Sequence, residues 1–207
     1  RPDPHSTLSF DTRSQSTATP GLRQMAKKFS FISFEVHPLH PSLYVLEISR
    51  PVKLNSLPLA FFTDLLACLS PPLPLACKAI ILSASPLSPH FCAGLDLALL
   101  RHLATHPAAF TPAVSLMQSA ISALETSPVP VIAAVHGACL GAGLDLVTAC
   151  DIRVSDASAS FSAAEVTLGV VPDLGTLQRL PGLVGAGRAR EMCLTGRRVG
   201  AGEAERM

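Results

Sequence analysis

Alternating apolar and polar residues characterise the chain from Phe29 onward. The segments FSFISFEV and LYVLEIS have this two-residue period, which predicts two strands. The residues between them, HPLHPS, are typical of a turn, and Arg50-Pro51 ends the second strand because proline has no N–H to donate to a sheet. The pattern therefore predicts a β-hairpin.

Apolar residues at helical spacing follow in three segments. Pro58 lies at the start of the first, where a missing N–H leaves no hydrogen bond unmade, and Pro107 separates the second from the third. Between the first and second, the apolar run CKAIILSAS predicts a buried strand. The helical segments are PLAFFTDLLACLS, LDLALLRHLATHP and AAFTPAVSLMQSAISALETS.

The stretch from Pro130 to Gly175 combines a strand, a glycine-rich turn and a helix. Val131 to Val135 is short, apolar and rich in β-branched residues, Gly137 to Gly143 forms the turn, and a helical pattern follows from Leu144 to Cys150. A helix N-terminus that follows such a turn presents unpaired backbone N–H groups to an anion. This stretch is therefore the first candidate site.

The order of these elements predicts an α/β fold built from successive ββα-like units. We assign residues 29–207 to it as one domain, since the chain is long enough for one sizeable core. Residues 1–28 are rich in Ser, Thr, Pro, Arg and Gln without a hydrophobic period, and we expect a disordered leader in which Met25 is a candidate natural start. The alternative is an organellar transit peptide, which Asp3 and Asp11 argue against.

Composition excludes several classes of protein. Hydrophobic residues make up 48% of the chain and charged residues 15%, which excludes disorder throughout. A net charge of +1 without a basic stripe argues against nucleic-acid binding. No apolar run predicts a membrane span or a secretion signal. The six cysteines lack C-x-x-C spacing, so we expect buried, reduced thiols in a reducing compartment and no metal site.

Three acidic residues lie in otherwise weakly charged segments: Asp145, Glu165 and Asp173. Each has a purely structural interpretation. Asp145 would be the first-turn acid of a helix, Glu165 a solvated charge on a short helix, and Asp173 the N-cap of the helix that follows it. These interpretations do not exclude catalysis.

The sequence A-G-L-D-L occurs twice, each time at a predicted strand-to-helix turn. It begins at Ala93 after one strand and at Ala142 after the next. Two such turns could each aim one backbone N–H at a single oxygen, which is the requirement for an oxyanion hole. Each turn alone is also explained by the freedom of glycine to form tight turns.

Pro130 to Arg153 reads P-V-I-A-A-V-H-G, a glycine-rich turn, an acid and C-D-I-R. These motifs closely resemble the crotonase (enoyl-CoA hydratase/isomerase) superfamily, and Ser49 to Leu57 looks like its R-P-x-x-x-N-A/S segment. The resemblance extends from about Phe31 to the end of the chain. It implies a spiral of ββα units and an acyl-CoA ligand whose thioester oxygen is held by the N–H groups of Leu95 and Ala142. The substrate-binding set that it implies is Ala93, Gly94, Leu95, Asp96, Leu97 and Ala142.

Within this family, the acid trio resembles that of the Δ(3,5)-Δ(2,4)-dienoyl-CoA isomerases of fatty-acid β-oxidation. The family's hydratases have glutamates at the positions of Asp145 and Glu165 and no third acid at Asp173. The isomerase reaction removes a proton at C2 of the acyl chain and delivers one at C6, so two separate acids are expected. We assign Asp173 to C2 and Glu165 to C6, with the reverse assignment open, and Asp145 to electrostatic tuning.

Two alternatives to the isomerase remain. The first is an enoyl-CoA hydratase or a Δ3-Δ2-enoyl-CoA isomerase of the same fold. The second is a non-catalytic acyl-CoA-binding fragment, since a fold does not determine a function. Among the nearby polar residues, we expect His136 to be packed and hydrogen-bonded, and Asp151 with Arg153 to form a structural ion pair.

The resemblance also implies partners and a location. An acyl-CoA would bind without a separate cofactor, coenzyme A being part of the substrate. The full-length protein would be a homo-trimer or hexamer in a peroxisome or a mitochondrion. Family members continue past the position of Met207 with further helices, so we expect this chain to be a C-terminally truncated fragment of weak stability.

Overall fold

The computed structural model describes residues 27–70 and 73–207. Lys27–Lys28, the last two residues of the predicted leader, form a short strand. The rest of the leader, including Met25, lies outside the described residues. None of the helices in the described ranges has the length and hydrophobicity needed to cross a membrane.

The main sheet has six strands in the order β1-β2-β3-β4-β5-β7. The strands β1 to β3 are antiparallel, whereas β3, β4, β5 and β7 are parallel. Parallel neighbours need crossover connections, and these contain the helices and the glycine turns. In the order of their numbers, the six strands are Lys27–Lys28, Ile32–His37, His40–Ile48, Ala79–Ala84, Val131–Val135 and Ile152–Ser155.

The predicted β-hairpin is confirmed. β2 and β3 pair with Ile32 opposite Ile48, and β3 begins at His40, inside the segment predicted to be the turn. The alternating pattern places Tyr44, Leu46 and Ile48 in the core. The first strand of the parallel part is therefore fixed by its own buried face.

The three predicted helical segments are confirmed as α1, α2 and α3, and Pro107 separates the last two. α1 and α3 pack together and bury large side chains such as Phe61, Phe62 and Met117. Each such side chain contributes about 2 kcal/mol to folding. The α-helices of the described ranges are Leu59–Leu69, Leu97–Thr105, Pro107–Glu125, Ala142–Thr148, Thr176–Val184, Ala186–Thr195 and Ala201–Ala204, α1 to α7 in this order.

A second, three-stranded sheet contains one strand, β6, from the stretch Gly137 to Gly143 that the sequence pattern predicted to be a turn. It consists of β6 (Ala138–Leu140), β8 (Ser160–Ser162) and β9 (Val199–Gly200). β6 and β8 are parallel, with Leu140 opposite Ser162. The residues that follow these two strands are therefore brought to the same edge, and they form the candidate site.

Candidate active site

The segment around Leu95 is fixed by backbone hydrogen bonds on both sides. Leu57 N donates to Gly94 O at 2.8 Å, and Asp96 N donates to Leu57 O at 2.9 Å. Gly94 has φ +95°, a conformation that side-chain-bearing residues rarely adopt. The N–H of Leu95 itself has no acceptor among the described residues, so it is free to bind a ligand oxygen.

The second predicted N–H donor, Ala142, is the first residue of α4. The first N–H groups of a helix have no acceptor within it, and within the described ranges Ala142 N has no other acceptor. A Cβ atom placed on Gly94 would lie 4.0 Å from Ala142 N and 3.2 Å from Leu140 O. The two glycine turns are therefore adjacent, and the missing side chain at Gly94 allows this approach.

Of the other predicted substrate-binding residues, Ala93 and Asp96 are partly buried and hydrogen-bonded to protein groups, whereas Leu97 is exposed. Ala93 N donates to Leu54 O at 3.1 Å. Asp96 is the N-cap of α2, with Oδ1 accepting from Ala98 N at 2.8 Å. Leu97, the first residue of α2, is 53% exposed.

Asp145 lies in the first turn of α4, as predicted, and is 1% exposed. Its Oδ1 accepts from Thr176 N at 2.7 Å, and because Thr176 begins α5, this carboxylate links two helices. Its Oδ2 is buried without a hydrogen-bond partner. Burial raises the pKa of Asp145 to about 6, while hydrogen bonding from Thr176 and the positive charge of Arg179 act in the opposite direction.

Glu165 lies on a short 3-10 helix, Ala164–Leu168, which follows β8. Its Oε1 is 3.2 Å from the position that a Cβ atom on Gly141 would occupy, and its Oε2 is buried without a hydrogen-bond partner. Burial, together with the negative charges of Asp145 and Asp173, raises the pKa of Glu165 to about 7. The interpretation of Glu165 as a solvated charge is therefore wrong.

Asp173 lies half-buried in the turn before α5, and burial raises its pKa. Its backbone carbonyl accepts from Gln118 Nε2 at 2.7 Å, and the next carbonyl, that of Leu174, accepts from Arg179 Nη1 at 3.3 Å. The N-cap of α5 is Gly175, and the side chain that binds its first N–H is Asp145. The interpretation of Asp173 as this cap is therefore wrong.

The three acids are brought together although they come from three different elements. The charge of Asp173 raises the pKa of both Asp145 and Glu165, and Glu165 lies against Gly141, directly before the free N–H of Ala142. In the described ranges, no three His, Cys, Asp or Glu side chains are arranged to hold a metal ion.

Two predictions about nearby residues have different outcomes. His136 is hydrogen-bonded as expected, with its Nε2 3.0 Å from Ser88 O. Asp151 and Arg153 form no ion pair with each other in the described ranges. Instead, the Asp151 carboxylate accepts from Val131 N at 2.8 Å, and Arg153 donates to backbone carbonyls.

None of the six cysteines forms a disulfide, and five of them are buried, as predicted. Burial raises the pKa of Cys92 and that of Cys150 to about 12. Thiols with such pKa values are protonated at neutral pH, so neither is a candidate nucleophile.

Sequence reasoning missed the side chains that support the acids. Gln118 on α3 holds the Asp173 carbonyl across 55 residues, and Arg179 on α5 pairs with Glu125 at 2.8 Å while binding Leu174 O. The sequence contains no local signal for either contact, because both depend on how α3 packs near the start of α5.

Comparison with known proteins identifies the family. The family model described as enoyl-CoA hydratase/isomerase matches residues 40–207. The chain belongs to the enoyl-CoA hydratase/isomerase family. Two relatives in this family are isomerases: the peroxisomal Δ(3,5)-Δ(2,4)-dienoyl-CoA isomerase of Arabidopsis thaliana is 43% identical over 179 residues, and the mitochondrial one of Homo sapiens is 35% identical over 183 residues.

The chain spans only part of the length of these relatives. The matches cover 79% and 83% of this chain but only 62% and 54% of the Arabidopsis and human isomerases. A solved enoyl-CoA hydratase of Bacillus anthracis has a TM-score of 0.79 at 35% identity and is similar over 86% of this chain and 67% of its own. The predicted α/β crotonase fold is therefore confirmed.

Proposed function

We propose that this chain is the catalytic core of an isomerase that converts 3,5-dienoyl-CoA to 2,4-dienoyl-CoA in fatty-acid β-oxidation. The observation that carries the proposal is the third acid, Asp173, whose charge acts on both Asp145 and Glu165, and of these Glu165 lies against Gly141, directly before the free N–H of Ala142. Similarity to the two dienoyl-CoA isomerases supports it.

The proposed reaction removes one proton at C2 and adds one at C6, the two ends of the system over which the double bonds shift. The Asp173 carboxylate removes a proton from C2, and the electrons of that C–H bond delocalise over the thioester carbonyl and the diene as an extended enolate. Protonated Glu165 then delivers its proton to C6, the C1 carbonyl re-forms, and the double bonds become C2=C3 and C4=C5. Asp173 ends protonated and Glu165 ionised, and proton exchange with water restores both.

The negative charge of the enolate develops on the thioester oxygen. The N–H groups of Leu95 and Ala142, which have no acceptor in the described ranges, would donate to this oxygen. Donors fixed in advance stabilise developing charge without reorganisation, and the loss of one such donor typically slows an enzyme by about 10²–10³-fold.

A hydratase is the second candidate, because the Bacillus anthracis neighbour has that activity in its name. Hydration needs a water molecule held between two acids. Here Asp145 is 1% exposed and its Oδ1 binds Thr176 N, so only one oxygen of this acid, the buried Oδ2, is left to hold a water molecule. This observation favours the isomerase, in which Asp145 acts only through its charge.

The reaction requires no oxidant or reductant because substrate and product are isomers, and coenzyme A enters as part of the substrate. The similar isomerases are named as peroxisomal in Arabidopsis and mitochondrial in human, and we propose one of these compartments. Assembly of the full-length protein as a homo-trimer or hexamer stays a prediction.

A side-by-side assay of the full-length natural protein tests the proposal. Offered 3,5-dienoyl-CoA and 2-enoyl-CoA separately, it should isomerise the first and hydrate the second slowly or not at all. Asp173→Asn and Glu165→Gln should each reduce isomerisation by at least about 10²-fold, since general acid–base groups contribute on the order of 10²–10⁴-fold. Rapid hydration would favour the hydratase, and binding of acyl-CoA without turnover of either substrate would favour the non-catalytic alternative. Unchanged isomerisation in the Asp173→Asn/Glu165→Gln double variant would contradict the catalytic roles of these two acids.

A further inference from the structure

We propose that Arg50 is a positioning residue that holds the Leu95 N–H in place for the thioester oxygen, through its ion pair with Asp96. This inference rests on the proposed function, because it needs a ligand oxygen at Leu95. It also gives the Asp96 side chain a different role from the substrate-binding one implied by the sequence resemblance.

The ion pair is short and partly shielded from water. Arg50 Nη1 lies 2.6 Å from Asp96 Oδ2, and the two side chains are 21% and 18% exposed. The same nitrogen donates to Ser56 O at 3.0 Å and to Ser56 Oγ at 3.2 Å. A charge-assisted pair that has additional hydrogen bonds and is partly shielded from solvent is stronger than an ordinary surface ion pair.

Asp96 transfers this restraint to the neighbouring backbone. Its Oδ2 binds Arg50 while its Oδ1 caps α2 by accepting from Ala98 N. The hydrogen bond from Ala98 and the one from Arg50 lower the pKa of Asp96, so the carboxylate is ionised at neutral pH. Both carboxylate oxygens of Asp96, the residue directly after Leu95, therefore accept hydrogen bonds from protein donors.

Arg50 is itself held by a rigid turn. Arg50 N donates to Asn55 Oδ1 at 2.8 Å, and Asn55 Nδ2 donates to His90 O at 3.0 Å. Asn55 is fully buried with φ +55°, and Leu54 before it has φ +52°. Two consecutive residues in this costly conformation indicate that the surrounding contacts fix the turn. The position of Leu95 is thus fixed relative to Arg50, which follows the end of β3.

Three variants and one control isolate this role in the full-length natural protein. Arg50→Met removes the guanidinium, Arg50→Lys keeps only its charge, and Asp96→Asn keeps an oxygen for Ala98 N while removing the ion pair. Lys78→Met is the matched control, since it removes an exposed positive charge before β4, whereas Leu95 follows the other end of that strand.

Two readouts distinguish positioning from general stability. The first is kcat and KM for 3,5-dienoyl-CoA. The second is the fraction of bound acetoacetyl-CoA that is present as its enolate, followed by near-ultraviolet absorbance, because donors at the thioester oxygen favour the enolate. A purely structural ion pair would lower the melting temperature and change neither the kcat of the folded protein nor the enolate fraction.

We expect Arg50→Met and Asp96→Asn to lower kcat by about 10- to 100-fold with KM within about twofold, since a ~1 Å misplacement can cost on the order of 10²-fold. Both should reduce the enolate fraction, with Arg50→Lys intermediate and Lys78→Met unchanged. The Arg50→Met/Asp96→Asn double variant should be no worse than the poorer single variant, because both changes break the same ion pair.

Wild-type kcat and enolate fraction in Asp96→Asn and Arg50→Lys would overturn the inference, even if Arg50→Met did not fold. An unperturbed enolate equilibrium on the wild-type protein would overturn it too. Should the wild type fail to isomerise 3,5-dienoyl-CoA while its enolate signal depends on Arg50, the proposed function would fail and the positioning role would stand.

Discussion

Glu165 combines burial with two negative neighbours, and this combination determines how activity should depend on pH. Delivery of a proton to C6 requires Glu165 to be protonated beforehand, and a carboxyl with a pKa of about 7 is mostly protonated below that pH. We therefore expect kcat/KM, which reports the free protein, to fall as pH rises through about 7. Steady-state rates from pH ~5 to ~9 measure this.

The reverse assignment of the two acids has the opposite signature. If Glu165 removed the C2 proton, it would have to be ionised, and kcat/KM would fall as pH decreases through about 7. Glu205→Gln, which removes an exposed carboxyl, should leave the profile unchanged. Whether kcat/KM falls as pH rises or as pH decreases through about 7 therefore decides between the two assignments.

Asp145→Asn should stabilise the fold at neutral pH. The folded-state pKa of about 6 lies above that of an unperturbed Asp, so the stability that Asp145 contributes is present at low pH and is lost as pH rises through about 6. Asn keeps an oxygen for Thr176 N without the buried charge. Denaturant unfolding should show a gain of at most about 3 kcal/mol at pH ~8 and little difference at pH ~3, at about 1.4 kcal/mol per pKa unit.

The same variant has a kinetic consequence. It removes one of the charges that raise the pKa of Glu165, so the pH limb of kcat/KM should move to lower pH. An equal change in stability at low and neutral pH, or an unmoved limb, would contradict the electrostatic role of Asp145.

The contacts of single residues were the hardest feature to predict from the sequence, because identical motifs have different geometries. In the first A-G-L-D-L the free N–H belongs to the third residue, Leu95, and its glycine has φ +95°. In the second the free N–H belongs to the first residue, Ala142, and the aspartate binds a different helix. The residue types were visible in the sequence, but their partners, 31 residues away in the case of Asp145, were not.

At the scale of elements, the turn between Asp173 and α5 depends on glycine. Gly175 has φ +126°, and a Cβ atom there would lie 1.8 Å from Arg179 Nη1. Gly175→Ala should therefore displace Arg179 from Leu174 O and lower the free energy of unfolding by roughly 1–3 kcal/mol. Thermal unfolding measures the loss, and kcat should fall with it because the same turn carries Asp173.

Gly182→Ala is the matched control for that prediction. Gly182 lies inside α5, has ordinary helical backbone, and has open space where a Cβ atom would be placed. Alanine there should be neutral or stabilising by up to about 1 kcal/mol, because glycine is the weaker helix former. Equal destabilisation by both variants would show that the strain at Gly175 has been overestimated.

The elements that the sequence predicted well are those with a sustained period. α1, α2 and α3 and the β2–β3 hairpin each repeat their apolar spacing over many residues. β6, β8 and β9 have only two or three residues each, which is too short for a period to be recognised. These short strands nevertheless place Glu165 beside Gly141, so the site depends on elements that are hardest to predict.

At the scale of the whole molecule, β7 forms one edge of the six-stranded sheet, and all four of its residues are exposed. Ile152 and Val154 are 51% and 56% exposed, and Val154 also lines an apolar groove with Leu144, Phe161 and Leu180. An exposed edge with apolar residues favours association between copies. None of the three acids lines this groove.

The chain Arg1–Met207 on its own should therefore bind a hydrophobic dye and self-associate. Val154→Lys should reduce both, because a charge on an edge strand opposes pairing with a second chain. Sedimentation at increasing concentration and dye fluorescence measure the effect, with Lys78→Met as a variant distant from the edge. A chain that stays monomeric at ~100 μM without binding dye would contradict the prediction and the expected weak stability.

The two unpaired carboxylate oxygens, Asp145 Oδ2 and Glu165 Oε2, have a consequence for laboratory evolution. A screen that rewards heat resistance or soluble yield would enrich amides at both positions, since natural proteins hold such destabilising groups only where activity requires them. The variants selected in this way would be stable but catalytically inactive. Selection for turnover is therefore needed to keep these two acids in any engineered descendant.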